Sequence, residues 1–290
     1  MENGNGRACF TPIVKKNYPI CNFLPPYFVI VVKQQKIKTM KRLLTILVML
    51  GLTLGLTAQN TIIATADFDR VSVSHAFNII LIPSDRNEVI VPENLELPRG
   101  VEAKDIISVR RGTLTIALPE SNRSRNNHRI NNRQPDIRVY FKSINSLSLS
   151  GASSATSEGT IRTGAFRFSL SGASRATLNI MADNITSQLS GSSNITLTGR
   201  ANEHNISASG SSRVNAENVL ETENSRVTLS GSSRASISAE SVRVSLSGAS
   251  NVTLQANEVR GSASGSSRVM LNADAQRSIS TSGSARIQTL

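Results

Sequence analysis

The chain has no tryptophan, few aromatic residues and only two cysteines among its 290 residues. Because Cys9 and Cys21 both lie close to the N-terminus, the rest of the chain has no disulfide, thiolate metal site or thiol nucleophile. The residues after the N-terminal segment also lack the cysteine to which a lipid anchor is attached after a signal peptide. An aromatic content of 4% is unusual for a packed globular enzyme.

Metal-binding and catalytic patterns are also missing. His75, His128 and His204 are far apart and none belongs to an H-x-x-x-H or H-E-x-x-H pattern. In the second half of the chain, aspartate occurs only at Asp183 and Asp274, which excludes the G-G-x-G-x-D repeats of calcium-binding β-rolls. No G-x-S-x-G nucleophile motif follows residue 60. We therefore predict no catalytic residue, no cofactor and no metal site.

The formal net charge of +12 would suggest nucleic acid as a partner if it were spread along the chain. Residues 1–42, however, hold eight lysines and arginines against Glu2 alone, so more than half of the excess precedes the predicted fold. The few aromatic residues could not stack many bases. Nucleic acid is therefore not an expected partner.

Residues 40–59 have the pattern of a secretory signal peptide: Lys41 and Arg42, an apolar run, and small residues around Ala58. The run is too short for a stable membrane span, and none is expected after cleavage. A retained N-terminal anchor is the alternative, because Leu56 makes the cleavage site imperfect. If Met40 is the initiator, residues 1–39 are a mis-assigned upstream extension. The predicted location is exported: periplasm, outer surface or extracellular space.

A short Ser-Gly-Ala/Ser-Ser motif recurs throughout the second half of the chain. The eight copies are 17–21 residues apart. Apolar residues alternate with polar ones on both sides of the motif, so each unit holds two short strands with one buried face. Glycine supplies a positive φ at no steric cost, which suits a sharp corner. The corner glycines are Gly151, Gly172, Gly191, Gly210, Gly231, Gly248, Gly265 and Gly283.

These units are too small to fold alone and are expected to stack as rungs about 4.8 Å apart. The predicted fold is all-β: a right-handed parallel β-helix (β-solenoid) with irregular N-terminal β coils or a cap. The repeats occupy residues 143–290. Residues 60–142 form an N-terminal β region of the same domain, with a bend near His75, a hairpin at Arg111-Gly112 and a polar loop at 120–135.

Three sequence segments resemble one known family. They are Phe68-Asp69-x-Val71-x-Val73-Ser74-x-Ala76-Phe77-x-Ile79, then Gly112-x-Leu114-x-Ile116, then Leu147-x-Leu149-Ser150-Gly151-Ala152 with its later echoes. Together they are similar to the auto-transporter adhesin head (GIN domain) family, secreted proteins common in Bacteroidetes. The resemblance spans roughly residues 67–287. It implies a β-helical fold and an extracytoplasmic place, and it brings no catalytic residues.

The third residue after each corner glycine defines one column on the stacked rungs. Positions four and six after the glycine are apolar and point inward, so this column points outward. The column can serve as a solubilising surface, with the repulsion between its arginines reduced by nearby glutamates. Alternatively, it can serve as a binding stripe for an acidic glycan or another polyanion. The column contains Ser154, Asn194 and Asn251, and the candidate stripe Arg175, Arg213, Arg234, Arg268 and Arg286.

The sequence therefore predicts a secreted or cell-envelope β-solenoid that acts as a non-catalytic adhesion or binding scaffold. Candidate partners are an extracellular polysaccharide, a surface protein or a second copy of the chain. Two alternatives stay open. One is a carbohydrate-active β-helix enzyme, although the acidic residues are spread along the variable stretches; the other is a purely structural surface spacer.

The export hypothesis predicts the mass of the mature protein. We expect the secreted form to begin near Gln59 or Asn60, because signal cleavage follows the small residues around Ala58. Intact-mass spectrometry of the secreted protein checks this. Recovery of a mature species that contains Cys9 or Cys21 would show that the start and the cleavage site are both misplaced.

Overall fold

The computed structural model describes residues 60–119, 135–216 and 220–290. The predicted extension (1–39) and signal peptide (40–59) lie outside these ranges, as do residues 120–134 of the predicted polar loop. None of the described residues belongs to a helix with the length and hydrophobicity that crossing a membrane requires.

Within the described ranges the chain forms eighteen β-strands and one 3-10 turn at Ala103–Ile106. The strands are β1 (Thr61–Ala64), β2 (Arg70–Val73), β3 (Asn78–Pro83), β4 (Glu88–Val91), β5 (Ile107–Arg110), β6 (Thr113–Ile116), β7 (Ile137–Phe141), β8 (Ser146–Leu149), β9 (Ser154–Leu170), β10 (Arg175–Leu189), β11 (Asn194–Ala208), β12 (Arg213–Ala216), β13 (Leu220–Leu229), β14 (Arg234–Leu246), β15 (Asn251–Ala263), β16 (Arg268–Leu271), β17 (Gln276–Thr281) and β18 (Arg286–Thr289).

Successive repeats pair in parallel and in register. In β10, for example, Ala176 lies between Ala155 of β9 and Ile195 of β11. Buried and exposed residues alternate along these strands, so each rung adds one layer of apolar side chains to a continuous core. The predicted parallel β-solenoid is therefore confirmed.

The stretch between two corners differs from the expected pair of short strands joined by a variable segment. In β10 a single strand of 15 residues runs from one corner to the next. Its inward residues Ile180 and Ile185 are an odd number of positions apart, so the alternation reverses between them, as a bend requires. Each such rung therefore has an after-corner segment, a bend and a before-corner segment. In the last rungs the strand is interrupted between β16 and β17.

Antiparallel strands cover the N-terminal end of the stack. The rung formed by β2 and β3 pairs in parallel with β8 and β9 on one side and with β6 and β7 on the other. Beyond these, β5 pairs antiparallel with β6 through the predicted Arg111-Gly112 hairpin, and β4 pairs antiparallel with β7 and β1. These strands form a β cap, which occupies strand edges that would otherwise be open.

The corner glycines lie directly above one another. Gly231 has a φ of 69°, and the amide of Ser232 donates a 2.7 Å hydrogen bond to the carbonyl of Gly210 in the rung beside it. A Cβ atom on Gly231 would lie only 2.7 Å from that same carbonyl oxygen. Both the left-handed backbone and the close stacking therefore require glycine here.

The first corner is the exception. His75 takes the glycine position between β2 and β3 with a φ of 72°. Its carbonyl accepts a 2.6 Å hydrogen bond from the amide of Ala152, so the ladder of corners begins at this residue. No described corner lies on the other side of His75, and a side chain is sterically possible there although the backbone is left-handed.

The corners also bury a column of serines two residues after the glycines. The Ser233 hydroxyl, for instance, donates a 2.8 Å hydrogen bond to the carbonyl of Ser230 across its own corner. Six of the seven buried serines make this bond, whereas the Ser174 hydroxyl has no hydrogen-bond partner among the described residues. All seven are inside the protein and so are not exposed nucleophiles. The buried serines are Ser153, Ser174, Ser193, Ser212, Ser233, Ser250 and Ser267.

The stacked corners yield a stability prediction. Replacing Gly231 by Val should lower the free energy of unfolding by at least about 1–3 kcal/mol, because a β-branched residue is forced into positive φ and its Cβ overlaps a carbonyl. Chemical denaturation measures the change. Gly164→Val is the matched control, because Gly164 has no positive φ and a Cβ there would make only an ordinary 3.7 Å contact with Asp183 Oδ2. Equal destabilisation of both variants would contradict the stacking argument.

Candidate functional site

The structure brings the arginine column together. Arg213 pairs in register with Arg234, and Arg268 pairs with Arg286, so these two pairs of guanidinium groups start from neighbouring strands about 4.8 Å apart. Asn194 and Asn251 fill the rungs between the arginines, and Arg175 pairs with Asn194. All five arginines are exposed. We call this set of after-corner side chains the first arginine column.

A shallow depression follows the middle of this column. It has a volume of about 300 Å³ and is lined by Arg213, Arg234, Asn251 and Arg268 together with the neutral side chains of the neighbouring outward column, such as Thr253. Four successive rungs thus present hydrogen-bond donors towards one concave surface. This is the arrangement that an extended anionic chain can follow, because each rung repeats the same contact.

No carboxylate compensates the first arginine column among the described residues. None of the five arginines forms an ion pair there. The adjacent outward column is neutral throughout and consists of Thr156, Thr177, Thr196, Asn215, Ser236, Thr253, Met270 and Gln288. Among the described residues, these arginines therefore have no carboxylate within ion-pair distance.

Several glutamates line a separate groove at the bends. This groove has a volume of about 680 Å³ and contains Glu221, Glu223 and Glu240, with Arg200 at one side. Its floor includes small buried residues such as Ala239. These three glutamates therefore lie at the bends rather than beside the first arginine column.

A second set of arginines escaped the analysis of the sequence. Five residues before the corner glycines, Arg226, Arg243 and Arg260 pair in register on three successive before-corner segments, and Arg167 holds the same position in an earlier rung. All four are exposed. We call this set the second arginine column. Counting backwards as well as forwards from each glycine would have revealed it.

The two described histidines play structural roles. His75 occupies the first corner, where Ser74 Oγ lies 2.9 Å from its Nδ1. His204 is fully buried, and its Nε2 lies 2.9 Å from the Oγ of Ser187. Burial lowers the pKa of His204 to about 3. Within the described ranges no three His, Cys, Asp or Glu side chains are arranged to hold a metal ion. His128 lies outside these ranges.

Comparison with known protein families agrees with the geometry. The family model described as "Putative auto-transporter adhesin, head GIN domain" matches residues 67–257. The chain belongs to this adhesin head family. Its matched region includes the cap except β1, most of the corners and the first three arginines of the first column. A search of curated proteins found no match.

Solved structures from Bacteroides and Parabacteroides share the GIN-domain fold. A putative adhesin from Bacteroides fragilis NCTC 9343 has a TM-score of 0.58 and 16% identity, covering 81% of this chain and 98% of that one. A putative adhesin from Parabacteroides merdae ATCC 43184 has a TM-score of 0.64 and 11% identity over 80% and 95%. A putative lipid-binding protein from Parabacteroides distasonis ATCC 8503 has a TM-score of 0.52 and 17% identity over 80% and 96%. Identities this low establish the fold alone.

The buried histidine predicts how stability depends on pH. The pKa of His204 is about 3 when folded and near 6.5 when unfolded, so below pH 6.5 the unfolded chain binds more protons. The free energy of unfolding should therefore fall as the pH decreases, with His204 contributing up to about 1.4 kcal/mol per pH unit.

Denaturation midpoints between pH 7 and pH 4.5 measure this slope. The double variant Ser187→Ala/His204→Val is the control, because it removes the histidine without leaving the Ser187 hydroxyl unpaired. Since carboxylates titrate equally in both proteins, the difference between the two slopes isolates His204. Identical slopes would show that His204 is accessible to protons in the folded state.

Proposed function

We propose that this GIN-domain protein is a non-catalytic, exported adhesion scaffold that binds acidic polysaccharide along its first arginine column. The observation that carries the proposal is the in-register series Arg213, Arg234, Asn251 and Arg268, which lines one depression and has no carboxylate in the adjacent column. Export is supported by the signal-like residues 40–59 and by the adhesin family to which the chain belongs.

The chemistry of the column fits a carboxylated or sulfated sugar chain. Guanidinium groups bind carboxylate and sulfate oxygens with two parallel hydrogen bonds, and the asparagine and threonine side chains can bond to sugar hydroxyls. Each exposed contact contributes little because water and salt screen it. Several identical contacts on one rigid rod, however, act on the same polymer, so their contributions combine.

Other ligand classes fit the depression less well. A lipid, the ligand named for the P. distasonis relative, needs mainly apolar walls, whereas only three of the ten residues that line this depression are apolar: Val214, Ala235 and Met270. Nucleic acid would gain from aromatic stacking, and no aromatic side chain lines it. Polysaccharide cleavage normally uses a pair of carboxylates, which this depression does not contain.

Charge reversal in the column tests the proposal. Arg213→Glu/Arg234→Glu should raise the Kd for polygalacturonate at least about tenfold, or about 1.4 kcal/mol, because two attractive contacts become repulsive. The fold should survive, since both side chains are exposed. Binding of the unaltered protein should also weaken steeply with salt. Isothermal titration calorimetry measures both effects.

Two controls make the result specific. Arg162→Glu/Arg200→Glu changes the net charge equally at exposed positions near the bends, and it should leave the Kd unchanged. A variant of Arg123, Arg125, Arg129 and Arg133 in the polar loop, which lies outside the described residues, tests the rival basic segment. Loss of binding in the loop variant with retention in Arg213→Glu/Arg234→Glu would place recognition in the loop. Shortening of the polysaccharide would instead favour the enzyme.

A further inference from the structure

The second arginine column lies on the same rungs as the first column but on a different face of the rod. In the rung of Gly231, Arg226 precedes the corner and Arg234 follows it. The neighbouring residues Val227 and Ala235 point inward and belong to one shared core. The two arginines therefore point away from that core on the two sides of the exposed Gly231 corner.

The second column has its own depression with mixed chemistry. Its volume is about 230 Å³, and it is lined by Arg226 and Arg243 together with Asn205, Asn224 and Glu203. Neither Arg226 nor Arg243 forms an ion pair among the described residues, whereas Arg260 is paired with Glu258. Guanidinium groups suit a sugar carboxylate, and the amide and carboxylate oxygens suit sugar hydroxyls.

The line of corners separates the two depressions. Gly231, Ser232 and Gly248 are exposed, and the stacked corners to which they belong run along the rod between the columns. A linear polymer that lies along one column contacts the same position of successive rungs, whereas the other column lies across the corners and lines a different depression. Each column is therefore suited to its own polymer chain.

We propose that the rod holds two acidic polysaccharide chains at once, one on each arginine column, and thereby cross-links them. This inference rests on the function proposed above for the first column. The second column is the weaker site, because Glu203 and Glu258 offset part of its positive charge. A rod with two separate sites joins polymer chains into a network, which a single site cannot do.

The test compares affinity with cross-linking in polygalacturonate. Light scattering should rise at intermediate ratios of the unaltered protein to polysaccharide and fall again when protein is in excess, because each chain is then saturated separately. Arg226→Glu/Arg243→Glu should abolish this maximum and halve the amount of polysaccharide bound per rod. It should leave the Kd of the tighter site within about twofold of the original.

The matched variant Arg213→Glu/Arg234→Glu changes the net charge by the same amount. It should also abolish the maximum, but here the Kd should rise at least about tenfold, because only the weaker column remains. Arg226→Gln/Arg243→Gln provides a milder form of the second-column variant. It should reduce the maximum as well, provided that its circular dichroism spectrum matches that of the unaltered protein.

The outcomes separate this inference from the proposed function. If polysaccharide binds but the unaltered protein gives no scattering maximum, the first column binds alone and the inference is wrong. A scattering maximum that persists in both second-column variants also overturns the inference. Sedimentation without polysaccharide would then reveal whether association of the protein itself causes the network. If no variant and not even the unaltered protein binds polygalacturonate, the proposed function and the inference fail together.

Discussion

The hydrogen bond between stacked corners is the interaction on which the rest of this structure depends. Each corner glycine offers its carbonyl to the amide that follows the next corner glycine, as Gly151 does to Ala173 at 2.7 Å. The two corners can come this close because glycine has no Cβ atom. A Cβ on one corner glycine would overlap the carbonyl oxygen of the neighbouring corner glycine. The corners thereby fix the register of every strand that leaves them, although their own side chains contribute almost nothing to the core.

Fixed register turns positions in the sequence into columns on the surface. Because each rung restarts at its glycine, variation in the length of a repeat is confined to the bend and does not shift the after-corner residues. The repeats therefore align Arg213 with Arg234 even though 21 residues separate them, and Arg234 with Asn251 although only 17 do. The stacked rungs in this way present a repeated polar pattern along the rod.

Because residues at one offset from the glycine form one column, each face of the rod has its own set of polar and charged residues. The after-corner face has arginine, asparagine and threonine and no described carboxylate, the before-corner face mixes arginine with glutamate, and the bends hold Glu221, Glu223 and Glu240. The first arginine column is therefore the face whose positive charge is least compensated, which favours a polyanionic ligand on that face. The proposed adhesive role uses this asymmetry, whereas a structural spacer would not need it.

Offsets from a repeated glycine and alternation with period two were enough to predict the solenoid, the corners and the composition of the first arginine column. They did not reveal that the variable stretches continue as bent strands, that antiparallel strands cap the N-terminal end, or that Glu221, Glu223 and Glu240 line the bends. The physical reason is that local periodicity specifies which residues face inward, whereas the neighbours of an outward residue depend on how each chain segment bends between corners. The position of His75 at the first corner was likewise not visible in the sequence, because it depends on which corner stacks against another corner on one side only.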